Sequence, residues 1–79
     1  MSKKIKLLWD FRGPEAFKIA EHHCIHLREY AETEKIQVQD IATKVISEMY
    51  CVALMIIEEK DMQNCREALK PHRGQLATD

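Results

Sequence analysis

Apolar and polar residues alternate near the start of the chain. Ile5, Leu7 and Trp9 are set against Lys6, Leu8 and Asp10, and Phe11 continues the apolar row. A period of two predicts a strand over Lys3–Phe11. Gly13-Pro14 breaks the pattern. Pro14 suits the first position of a helix, where its missing N–H removes no bond. Glu15 in the first turn complements the helix dipole. From Pro14 to about Lys35 the period changes. Phe17, Ala20, Cys24, Leu27 and Ala31 recur every three or four residues, which predicts a helix with one apolar stripe. Glu15, Lys18, His22, His26, Glu29 and Thr33 fall on its opposite face.

The middle of the chain is less regular. Ile36 and Val38 alternate with Gln37 and Gln39, as in a short strand, and the alternation slips at Asp40-Ile41, where a bulge fits. Met49 to Ile57 is the longest apolar run, nine residues. It is apolar on both faces and closed by Glu58-Glu59-Lys60. A central strand covered on both sides has this pattern, and so does a buried helix, because Ile41, Val45, Met49, Val52 and Ile56 also keep helical spacing. Length and β-branching favour the strand. Asp61 is the expected N-cap of a last helix with Met62, Cys65, Ala68 and Leu69 as its apolar stripe, ended by Pro71. Gln75 to Asp79 is read either as an edge strand or as a free tail.

The order β-α-β-β-α, with room for a short fourth strand, is an α+β pattern. It resembles the ferredoxin-like α/β plait, two helices on one face of a small antiparallel sheet. The resemblance is one of topology and covers residues 1–79 as a single domain. Heavy-metal-carrier domains share that plait and hold metal with a Met-x-Cys-x-x-Cys loop after the first strand. Here the loop reads Asp10-Phe11-Arg12-Gly13-Pro14, so copper-carrier activity does not follow.

Composition narrows the function classes. Twelve Lys+Arg against thirteen Asp+Glu give a formal charge of −1, unlike a basic nucleic-acid module. At 46% apolar the chain is not disordered. Its longest apolar run is too short for a membrane helix. Three cysteines, none in a C-x-x-C pair, argue against a disulfide framework. The basic start has no apolar core of a signal peptide, so a cytoplasmic location is expected. A chain of 79 residues has a thin stability margin and is commonly completed by a metal or a partner subunit.

The densest set of ligand-type side chains is Glu21-His22-His23-Cys24-Ile25-His26. His22 and His26, at i and i+4, can share a divalent metal such as zinc, completed by a ligand from a neighbouring subunit. Glu29 extends that face, too far from His22 to join the same ion. His23 on the flank, Arg12 at the strand–helix turn, and His72 with Arg73 beyond the last helix are the candidate ligand-binding residues. Arg12 beside a helix N-terminus suits a small anion; its plain alternative is pairing with Asp10 or Glu15. In a plait His72 and Arg73 are expected at the opposite end of the sheet from Arg12, meeting it only across a subunit boundary. No Ser-His-Asp arrangement or exposed thiol supports catalysis.

Association is the main functional expectation. If Met49–Ile57 is a strand, Tyr50, Val52, Leu54 and Ile56 share one face and Met49, Cys51, Ala53, Met55 and Ile57 the other. Helices on one face leave the second apolar row bare unless another subunit covers it. The expected protein is a cytoplasmic plait that forms a homo-oligomer, a dimer first of all, through its sheet. It binds a small anionic ligand or a protein, without chemistry of its own and without nucleic acid or membrane. The alternatives are a metal-binding protein and a small enzyme with an intersubunit pocket.

Overall fold

A computed structural model describes residues 3–77. Its element order is β1 (Lys4–Arg12), α1 (Ala16–Thr33), β2 (Val38–Ser47), β3 (Tyr50–Glu58), a 3-10 turn (Glu59–Asp61), α2 (Met62–Leu69) and β4 (Arg73–Ala77). The four strands form one antiparallel sheet in the order β2-β3-β1-β4. The fold is small α+β, and its β-α-β-β-α-β order is compatible with a ferredoxin-like plait. The apolar run is a strand, and β4 takes the fourth place. Thr78 and Asp79 lie outside the described residues.

One sheet face carries the core. Ile5, Leu7 and Trp9 from β1 and Cys51, Ala53, Met55 and Ile57 from β3 are buried there with Ala16, Ala20, Cys24, Leu27 and Ala31 of α1. Four of those five α1 residues are Ala or Cys. Small side chains let a helix lie close to the sheet, and α1 crosses β1, β2 and β3. At about 100° per residue Ala16 and Phe17 stand at opposite edges of the stripe of Ala20, Cys24, Leu27 and Ala31; Ala16 takes the inward place and Phe17 is 47% exposed. Helix α2 is shorter and fully buries only Cys65; Ala68, expected in its stripe, is exposed.

Element ends depart from the expected boundaries for local reasons. Pro14 sits in a turn rather than at the start of α1, because Gly13 bends the chain at φ 113°, a conformation only glycine adopts easily. The Gly13 N–H donates to the Met49 carbonyl at 2.8 Å and its own carbonyl accepts from Ala16, so the turn is clamped to the β2–β3 hairpin. Strand β2 is longer than the alternation suggests, and its first irregularity falls between Val38 and Asp40, a residue earlier than expected. Asp61 stands at the N-cap of α2 but its side chain makes no capping bond, since the 3-10 turn already leads into the helix. Among the described residues no helix is long and apolar enough to cross a membrane.

Candidate functional site

The antiparallel register determines what the uncovered sheet face presents. Lys44 of β2, Val52 of β3 and Asp10 of β1 form one row across it. Ala42, Leu54, Leu8 and Arg73 form the next, and Asp40, Ile56, Lys6 and Gln75 the one after. Apolar residues thus run along β3, with Leu8 of β1 beside them, and charged ones flank them on β1, β2 and β4. Long charged side chains cover apolar neighbours with their stems while the head groups stay in water. The row expected to be bare is covered only in part within the single chain: Val52 is 3% exposed, and Leu8 beside it 6%. Tyr50, Leu54 and Ile56 are half-buried.

A groove of about 280 Å³ lies on this face, lined by Lys6, Leu8, Lys44, Ile46, Tyr50, Val52, Leu54, Arg73 and Gln75. Ile46, Tyr50 and Leu54 give it partly exposed apolar surface, and its lining holds three cations, of which Arg73 is paired with the adjacent Asp10 carboxylate. Lys6 and Lys44 form no ion pair among the described residues. The sequence shows no Lys or Arg within Met49–Ile57; the cations beside that strand come from β1, β2 and β4.

Asp10 organises one end of the groove. Its carboxylate accepts two bonds from Arg73, Nε to Oδ2 at 3.0 Å and Nη2 to Oδ1 at 2.7 Å, and the Tyr50 hydroxyl donates to Oδ1 at 2.5 Å. The forked contact is the strong form of an arginine–carboxylate pair. The Tyr50 hydroxyl first, and Arg73 with it, hold the Asp10 carboxyl below its usual range although partial burial opposes them. The same bonds push the Tyr50 hydroxyl and the Arg73 guanidinium upward. Arg12 lies over the Tyr50 ring, 4.0 Å from its centroid. It therefore pairs with neither Asp10 nor Glu15, and Glu15 meets Lys18 instead.

His72 and Arg73 lie at the same end of the sheet as Arg12, contrary to the expected separation. β4 runs antiparallel to β1, so its first residue, Arg73, pairs with Leu8 near the end of β1. The His72 N–H donates to the Leu8 carbonyl at 2.9 Å, and its Nδ1 accepts from the Asp10 N–H at 2.8 Å. That bond leaves Nδ1 without a proton, so a neutral His72 carries its proton on Nε2.

His23 is the fourth candidate and faces the covered side of β1. Its ring lies 4.8 Å from Trp9 and 5.5 Å from Phe11 between centroids. Its Nε2 is buried with no hydrogen-bond partner among the described residues. Burial, then the nearby His26 and His72, holds the ring below the ordinary histidine range. Arg12, His72 and Arg73 thus gather around Asp10 and Tyr50, while His23 sits behind them. Asp10 and Tyr50, central to this cluster, were missed as site residues. The parity of β1 and β3 places them on one face, but their pairing needs the register.

The thiols take no part. All three cysteines are free and buried, and burial, with Asp61 nearby, pushes the Cys65 thiol up to about 11. His22 and His26 lie on the exposed face of α1 with Nε2 atoms 3.0 Å apart, on the other layer from the groove.

Fold and site together describe a small α+β protein with a cation-rimmed apolar groove on an open antiparallel sheet. No family model matches the chain, and no curated protein or solved structure shows significant similarity to it.

Proposed function

We propose that the chain is a ferredoxin-like plait whose open sheet face binds a small amphipathic anion, an apolar body with a carboxylate or phosphate group. The observation that carries this reading is the groove lining: partly exposed Ile46, Tyr50 and Leu54 beside Lys6 and Lys44, unpaired among the described residues, and the Asp10-bound Arg73, in a chain of net charge −1. Ligand sites commonly combine apolar walls with a few placed polar groups, and drug-sized ones run from ~300 Å³ upward. At about 280 Å³ the groove suits a smaller molecule. Arg73 is already oriented by Asp10, so less side-chain freedom is lost when an anion arrives. The groove offers charge and apolar contact, which is what holding a ligand requires.

The competing occupant of the same face is a second copy of the chain. Octanoate and octanol, equal in length and different in charge, separate the readings. Octanoate is expected to raise the melting temperature more than octanol, with Lys44→Glu and Lys6→Glu each weakening its binding about tenfold or more, equivalent to about 1.4 kcal/mol. Equal effects of the two probes, or binding untouched by charge reversal, overturns the proposal. A dimer in light scattering that Lys44→Glu dissociates assigns the face to a second copy instead.

A further inference from the structure

We propose a second, independent site on the opposite layer: an open two-histidine chelate for a borderline divalent cation such as Zn²⁺ or Cu²⁺, formed by His22 and His26 of α1. Two side chains four residues apart on a helix are neighbours one turn on. Here the neighbouring groups are the right atoms. The Nε2 atoms of His22 and His26 converge to 3.0 Å, and the rings meet edge to face with centroids 4.6 Å apart.

That separation matches a shared ion. With metal–nitrogen bonds of about 2.0–2.1 Å, two imidazole nitrogens stand about 2.8–3.0 Å apart at a right angle and about 3.3–3.4 Å apart at a tetrahedral one. The pair already stands at the first spacing. The second needs a few tenths of an ångström, which a small ring rotation supplies.

Glu29 supplies the support that ligating histidines ordinarily have. Its Oε1 lies 3.3 Å from Nδ1 of His26, the nitrogen that points away from His22. A carboxylate at that distance needs only a small rotation to accept the Nδ1 proton, which would leave the lone pair on Nε2 and make the ring a better donor to metal. Glu29 therefore acts from behind His26. This answers the sequence-level objection that it stands too far along the helix from His22 to bind the same ion. In the metal-free chain the two Nε2 atoms share one hydrogen bond whose donor is set by the ring tautomers, and holding an ion requires both Nε2 atoms to be unprotonated.

Among the described residues no group of three potential ligands gathers around one point. The chain thus contributes two ligands, and water or a donor from another molecule takes the remaining positions. Imidazole suits Zn²⁺, Cu²⁺ and Ni²⁺, while Mg²⁺ and Ca²⁺ take oxygen donors. Cu²⁺ is expected to bind most tightly.

Calorimetric titration of the full chain with CuCl2, ZnCl2 and MgCl2 tests the site. Saturable binding of copper and zinc, but not magnesium, is expected, with one ion per chain or one per two chains. His22→Ala and His26→Ala are each expected to lower affinity at least tenfold. Glu29→Gln is expected to lower it by about tenfold, the usual scale for a lost supporting carboxylate. Glu48→Gln, in the turn between β2 and β3, leaves it unchanged. These side chains are exposed, and circular dichroism verifies that each variant folds. Absence of binding at millimolar copper and zinc, or undiminished binding by a folded His22→Ala variant, overturns the proposal. Neither result bears on the anion groove.

Discussion

Both proposed sites depend on which way α1 faces, and a pair of substitutions tests that directly. Leu27 is 0% exposed and Ile25, two residues earlier on the same helix, is 51% exposed. Replacing either with alanine removes three carbons. At Leu27 all three leave the core, losing ~2.4 kcal/mol at ~0.8 kcal/mol per carbon. The incompletely collapsed cavity raises the total to ~3–4 kcal/mol. At Ile25 about half of the side chain is already in water, so the loss is ~1.2 kcal/mol, offset by roughly 0.4 kcal/mol because alanine is the better helix former. The expected costs are therefore about 3–4 and about 1 kcal/mol. In a domain of this size 1 kcal/mol moves the melting temperature by ~4–8 °C. Leu27→Ala should melt at least ~8 °C below Ile25→Ala. Urea denaturation followed by circular dichroism gives both values on one scale. Equal losses, or a larger one at Ile25, would mean that α1 is rotated. His22 and His26 would then no longer face solvent, and the covered and open faces of the sheet would need reassignment.

Three further outcomes are expected. Lys35 follows α1 at φ 55°, with the Ile36 N–H bonded back to the Ala31 carbonyl, the left-handed helix ending that glycine prefers; Lys35→Gly should stabilise the fold by about 0.5–1 kcal/mol in urea denaturation, and a loss would refute that backbone argument. Because burial lowers the affinity of folded His23 for a proton, the unfolded chain takes up that proton first. Its contribution to stability is whole above pH ~6.5, falls as pH drops below that value, and levels off beneath the lowered folded value. His23→Phe should flatten this segment of a stability-against-pH curve, and an unchanged slope in the variant would count against the burial of the ring. The three buried thiols should react with a disulfide reagent at pH 8 only after denaturant is added, and rapid labelling of the native chain would contradict their placement.

Much of the architecture was legible because periodicity reports burial directly. The alternation of Ile5, Leu7 and Trp9 and the stripe of Ala20, Cys24, Leu27 and Ala31 each record one element against one neighbour, so one stretch of chain suffices to read them. Met49–Ile57 was legible as a strand through its length and β-branching, since apolar residues on both faces suit a buried helix equally. Phe17 was misplaced because it stands at the edge of the stripe, where a three- or four-residue spacing admits either Phe17 or Ala16 and says nothing of which is buried. The exposure of the His22–His26 face was legible by the same helical arithmetic, but the convergence of their Nε2 atoms depends on ring rotations that spacing leaves free.

The groove lies beyond anything local pattern can reveal. Lys6, Lys44, Tyr50 and Arg73 come from four different strands, and their meeting depends on strand order and register. Those are set by pairing between segments up to 60 and more residues apart, as in the Asp10–Arg73 contact. Alone, the amino-acid order determined the kind and succession of elements, since each answers to short-range burial and backbone preference. Tertiary structure decided which ends of the sheet coincide and which charges border the apolar strip. An antiparallel partner brings the start of one strand beside the end of another, and that adjacency leaves no trace in either segment by itself.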